Sequence, residues 1–195
     1  FTFNEDKGDR ATDDSGRGNH GRAQGAPLVD GRAGGKAREF DGKSYVAVGK
    51  APSLDMSMRP LTVAAVVKTQ QPNGVILARG GQTQGFALYL DEGKPVFAVR
   101  SGGSLNLAAG QRSVLGDWVE LTAILAHDLK MTLYVNGEKV AENKADWFIG
   151  TDPNEGLEVG QDRGTKVGAY DSDNGFTGLI DEVQVYSGEK PPQPQ

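Results

Sequence analysis

Glycine occupies 28 of the 195 positions and is spread along the whole chain. Evenly scattered glycines mean frequent turns, and frequent turns mean many short strands. No G-X-Y period is present, which excludes a collagen-like rod. No stretch of a dozen residues carries a clean 3.6-residue apolar period, so almost no helix is expected. Period two is what remains. Leu61 to Thr69 is apolar and β-branched, bounded by Pro60 and Pro72. Phe86 to Asp91 passes through Glu92-Gly93-Lys94 into Pro95 to Arg100. This reads as a hairpin with Phe86, Leu88 and Leu90 on one face and Ala87 and Tyr89 on the other. Trp118 to Leu125 sets Val119, Leu121, Ala123 and Leu125 opposite Glu120 and Thr122. Met131 to Val135 meets Asn136-Gly137, a type I′ turn signal, and continues into Glu138. Gly156 to Gly160 holds a short strand and Phe176 to Tyr186 a long final one.

Hairpins without intervening helices predict an all-β chain folded as an antiparallel sandwich or a barrel. The glycine-rich first 36 residues look irregular and are expected to wrap the sheets without joining them. One domain is expected over 1–188. The Pro- and Gln-rich stretch 189–195 reads as a linker or unstructured tail.

The net charge is −5 and the pI about 5.1, which disfavours nucleic acid and anionic membrane as partners. No apolar run approaches the roughly 20 residues that span a bilayer, so no membrane insertion is expected. The absence of cysteine removes disulfides, thiol catalysis and thiolate metal sites together. An extracellular domain of this length without cysteine points to bacteria, although a cytosolic protein would lack disulfides too. The chain starts at Phe1 with no leader-like pattern and reads as a piece of a longer protein, monomeric as an isolated domain.

Four segments, in order, carry a resemblance. The first is Phe3-Asn4-Glu5-Asp6 followed by Asp13-Asp14-Ser15-Gly16-Arg17-Gly18-Asn19-His20-Gly21. Next come Phe40-Asp41-Gly42 with Tyr45-Val46, and then Trp118 with Leu133-Tyr134-Val135-Asn136-Gly137. The last is Phe176-Thr177-Gly178-Leu179-Ile180-Asp181-Glu182-Val183 running to Tyr186. Together they resemble bacterial laminin-G-like domains of the concanavalin A-like class. The resemblance implies an all-β, two-sheet antiparallel jelly-roll sandwich with its first and last strands paired, a secreted or periplasmic location, fusion to hydrolases such as sulfatases and glycosidases, and one structural Ca2+. The animal members' disulfide is impossible here.

Catalysis of the glucanase type would need carboxylates at alternate positions of one strand, as in E-x-D-x-E. No such run exists. Asp171-Ser172-Asp173-Asn174-Gly175 reads as a solvated turn or as a loop offering oxygens to calcium. His20 and His127 lack metal-site spacing and read as surface residues. No G-x-S-x-G elbow is present. Gly42-Lys43-Ser44 imitates the end of a P-loop, but Ala37 stands where the glycine is required and a strand follows.

The metal reading rests on Asp181, which shares parity with Leu179, Val183 and Val185. A carboxylate on an apolar face must find a cation or hydrogen-bond donors. With Asn4 and Glu5 from the N-terminal segment it would hold calcium; alternatively it accepts backbone N–H groups at a bulge. For ligand binding the candidates are Arg79, Gln84, Tyr89, Arg100 and Trp147, aromatics to stack on a sugar and polar groups to bond its hydroxyls. Trp118 reads as core; Trp147 reads either as core or as an exposed stacking indole. The expected function is a non-catalytic accessory module binding carbohydrate or a protein ligand. The rival readings are a structural domain packing against a neighbouring catalytic domain and a glycoside hydrolase of the same fold.

Overall fold

The computed structural model describes residues 1–4, 8–171 and 174–191. Among these residues fifteen strands form two antiparallel sheets, and the helical content is two 3-10 turns, Arg32–Gly34 and Pro52–Leu54. The first sheet contains β1 (Arg10–Ala11), β2 (Gly21–Gln24), β5 (Tyr45–Gly49) and β14 (Leu157–Val159). It continues with β7 (Gly74–Gly80), β8 (Gly85–Asp91), β9 (Lys94–Ser101) and β10 (Ser104–Ala109), in that spatial order. The second sheet runs β13 (Glu138–Lys144), β12 (Lys130–Val135), β11 (Val119–Leu125), β6 (Leu61–Lys68). It ends with β15 (Thr177–Ser187), β4 (Lys36–Asp41) and β3 (Leu28–Asp30).

The period-two patterns explain the sandwich. Phe86, Leu88 and Leu90 of β8 meet Leu61, Val63, Leu121, Ala123 and Leu133 of the facing sheet in one core, where Phe40 and Phe176 pack edge to face at 6.2 Å. The Asn136-Gly137 turn has φ of 50° and 80°, the left-handed pair a type I′ turn requires. Gly42-Lys43-Ser44 is a tight turn whose Lys43 and Ser44 N–H groups bond Asp41 Oδ1 at 2.9 and 2.8 Å, and a strand follows.

The first 36 residues depart from expectation. They contribute β1, β2 and β3 to the sheets, and Phe3, Ala11, Ala23 and Ala26 to the core. A buried charge just beyond the segment holds them. Arg38, on β4, donates to the carbonyls of Ala26 (2.8 Å), Arg10 (3.0 Å) and Gly8 (3.3 Å). Its guanidinium stands 5.6 Å from the Phe3 ring centre. No local periodicity could signal order imposed from outside the segment.

The N-terminal segment meets the last strand, but the first strand does not: β1 pairs with β2 in one sheet, while β15 lies between β6 and β4 in the other. Phe1 and Val183 exchange backbone hydrogen bonds of 2.9 and 3.0 Å. This lies at the bulge in β15 between Ile180 and Val183. Trp118, expected in the core, is half-buried at the entry to β11. His20 and His127 are exposed.

Candidate functional site

The strands β7, β8 and β9 turn one face to the core and the other outward. An open outward face was the expected place for Tyr89. That face is instead closed by the chain's own segment 161–171. Val167 and Tyr170 pack onto Val75, Ala78, Ala87, Tyr89 and Ala98, and the Tyr89 and Tyr170 rings meet at 4.8 Å. Tyr89 is buried and has no ring face for a ligand. The closing segment is pinned by Asp162, whose Oδ2 accepts the Val167 N–H at 3.0 Å and the Tyr170 hydroxyl. Burial pushes the Asp162 carboxyl above its ordinary range, against the pull of those two donors.

Arg79 and Arg100 are also committed internally. Arg79 lies on β7 with the parity of core residue Leu77, and its side chain is 0% exposed. It bonds Asp152 at 2.6 Å, and Lys50 approaches the same carboxylate at 3.3 Å. Arg100 donates to the carbonyls of Val167 and Gly103, both at 2.8 Å. Gln84 accepts the Gly150 N–H at 2.7 Å. All three were expected to meet a ligand; Arg79 is buried and held by its counter-ion, whereas Gln84 and Arg100 are half-buried and carry these bonds at the surface.

Arg79 and Gln84 brace the loop 145–153, while Arg100 ties the 101–104 turn to the closing segment. Ala145 and Ile149 anchor in the core. Asn106 accepts the Asp146 N–H at 3.3 Å, and Ser101 donates to the Phe148 carbonyl at 2.5 Å. The Met58 N–H donates to the Ile149 carbonyl at 2.8 Å. Within this tethered loop Trp147 remains 70% exposed. Met58 is 67% exposed, and these two are the large exposed hydrophobic residues among the described ones. The 81–84 and 101–104 turns are joined by the Gly103 N–H to the Thr83 carbonyl at 2.9 Å, and both hold the Trp147 loop. Sequence reading named Trp147 but missed Met58 and Asp152. Arg79 on an apolar parity was the available signal for a buried counter-ion; nothing in the local pattern marks Met58.

The expected metal ligands gather only in part. Asp181 Oδ2 accepts the Arg32 N–H and Asn4 Oδ1 accepts the Lys36 N–H, both at 2.8 Å. Both therefore grip one turn, which Gly31 closes by donating to the Gly35 carbonyl at 2.9 Å. Glu5 lies outside the described residues, as does Asp173 of the acidic turn. Burial pushes the Asp181 carboxyl up; the Arg32 N–H pulls it down and the neighbouring Glu182 pushes it further up. The donors are all oxygens, and each retains a lone pair beyond its backbone bond, so the set suits calcium chemically. Among the described residues no three His, Cys, Asp or Glu side chains gather, so a cation here would depend on carbonyl oxygens as well.

No curated protein matches the chain. Solved structures do. The binding domain of Paraclostridial Mosquitocidal Protein 1 superposes with a TM-score of 0.69 at 18% identity, over 92% of this chain and 48% of that one. Domain 4 of AbnA, an extracellular arabinanase from Geobacillus stearothermophilus in complex with arabinotriose, gives 0.62 at 21%, over 85% and 76%. Mouse laminin alpha1 chain, domains LG4-5, gives 0.63 at 19%, over 82% and 41%. The chain thus spans about half the length of the first of these. At such identities the likeness is one of fold. The family model described as the Concanavalin A-like lectin/glucanases superfamily (Laminin_G_3) matches residues 40–193, most of the chain, and the protein belongs to that family.

Proposed function

We propose that this protein is a non-catalytic carbohydrate-binding module of a secreted or periplasmic bacterial hydrolase, and that Trp147 is its stacking surface. The observation that carries the reading is the Trp147 loop. Five tethers fix the backbone around an indole that stays in water. Exposing so large an apolar side chain on so rigid a loop has no benefit to the fold, and a rigid aromatic is what a sugar's apolar face packs against. The named neighbours support it: two are called binding domains or hold an oligosaccharide. Such a module acts by tethering, raising the effective concentration of an attached catalytic domain at its substrate.

A glycan array probed with this chain and with Trp147→Ala tests it. Binding to one glycan class, weakened about 30-fold or more in the variant, is expected for loss of a central aromatic anchor. If the folded chain binds no glycan, the module is not a carbohydrate reader, and the structural-domain reading takes its place.

We also propose that calcium stabilises the junction of Asn4, Asp181 and the 31–36 turn. Calcium at 100 times its Kd would contribute about 2.7 kcal/mol. For a chain of this size that raises Tm by about 5–10 °C. Asp181→Asn should abolish the difference between calcium and chelator. A Tm that chelator leaves unchanged rules the ion out.

A further inference from the structure

We infer that the Trp147 rim is an open platform for an extended, uncharged polysaccharide chain, with Met58 as its second contact; this rests on the carbohydrate reading above. The first argument is shape. The cavities of about 280, 450 and 420 Å³ are lined by other residues, and Trp147 and Met58 stand 70% and 67% exposed, as side chains on a rim do. A side chain exposed on a rim touches one face of a passing chain.

The second argument is the pairing of the two apolar groups. The Met58 N–H bonds the Ile149 carbonyl, and Ile149 is two residues from Trp147. Two residues of chain span at most about 7 Å, so the backbones that carry these two exposed side chains are neighbours on the surface. Met58 also holds φ at 55°, a left-handed conformation that a glycine would adopt without strain. The fold therefore maintains a strained backbone at the position where it exposes a large, adaptable thioether. Backbone strain and apolar exposure coinciding at one residue mark a functional contact.

The third argument is charge. Arg79 and Arg100 are turned to internal acceptors, Asp152 and two carbonyls; the charges left exposed beside the two apolar groups, Arg59 next to Met58 and Asp146 next to Trp147, are of opposite sign. Asp152 is held by Arg79 and Lys50. The turn tips that brace the loop carry exposed Gln82, Thr83, Gly102, Gly103 and Ser104, neutral donors and acceptors suited to hydroxyls and not to carboxylates or sulfates.

Titration calorimetry with two polymer sets tests the inference: neutral arabinan, xylan and β-glucan, and acidic polygalacturonate and heparin. The best polymer is then followed down to its tetra-, tri-, di- and monosaccharide. The expected result is binding to a neutral polymer, with affinity falling at least 10-fold from tetrasaccharide to monosaccharide. Met58→Ser should weaken the long ligands 3- to 10-fold and leave the short ones unchanged, whereas Trp147→Ala should weaken all. Preference for an acidic polymer, a monosaccharide that binds as tightly as the polymer, or an inert Met58→Ser overturns the platform while leaving the carbohydrate reading intact. Failure of every carbohydrate overturns both.

Discussion

Asp152→Ala is expected to lower the unfolding free energy by about 3–5 kcal/mol, the usual consequence of leaving one partner of a buried pair alone. For a chain of this length that is a fall in Tm of about 6–20 °C. Arg79 is the reason. Its side chain is fully buried, and its Nε and Nη1 have no hydrogen-bond partner among the described residues. The bond from Nη2 to Asp152 is its ion pair. The other nearby carboxylate, Asp55, is committed to the Ser57 hydroxyl and N–H, which hold it below its ordinary range, with Arg59 and Arg79 adding to the pull. Arg79→Met combined with Asp152→Ala should recover most of the loss, because the double variant buries no charge. Denaturant titration of the three variants checks this. A double variant less stable than Asp152→Ala alone would show that the pair is not the source of the effect. The same substitution should weaken glycan binding, since it unfastens one end of the loop that presents Trp147.

Gly178→Ala should cost at least about 3 kcal/mol and sharply reduce the yield of folded protein. Gly178 opens β15, the strand between β6 and β4, with φ at 139°. A Cβ there would drive into the Lys68 carbonyl oxygen and stand 2.9 Å from the Thr69 Cβ. Neither neighbour can move cheaply, because Lys68 pairs with Leu179 and Thr69 donates to the Thr177 carbonyl at 2.5 Å. Gly16→Ala is the control. Gly16 has φ at 78° but nothing within 4 Å of an added Cβ, so only the conformational cost of about 1 kcal/mol remains. Equal losses at the two positions, read as midpoint shifts at unchanged m, would show that packing against β6 is not what Gly178 serves. The glycine in the segment from Phe176 to Tyr186 that carried the family resemblance thus has a physical reason: two backbones approach too closely for a side chain.

The division between what the residues announced and what folding added follows the range of the forces. Alternation of apolar and polar side chains is local, so β6, the β8–β9 hairpin, β11, β12 and β15 were all legible from their own residues. So was the type I′ turn at Asn136-Gly137. The resemblance implied paired first and last strands; Phe1 does bond Val183, but β1 pairs with β2 and not with β15. The edge strands β1 to β3 were not legible, because a buried arginine on β4 orders them and no neighbour in sequence records that debt. The site divided in the same way. Composition and position made Trp147 a candidate, but only the tertiary structure decided between core and surface. It did so by tethering the loop from β7, β9, β10, the 81–84 turn and the Met58 turn, elements 40 or more residues away in the chain. Tyr89 went the other way: its outward parity was correct, yet a distant segment folded back to cover it. Parity determines which face of a sheet a side chain takes; what later lies against that face is decided by contacts between parts of the chain that carry no local signal of each other.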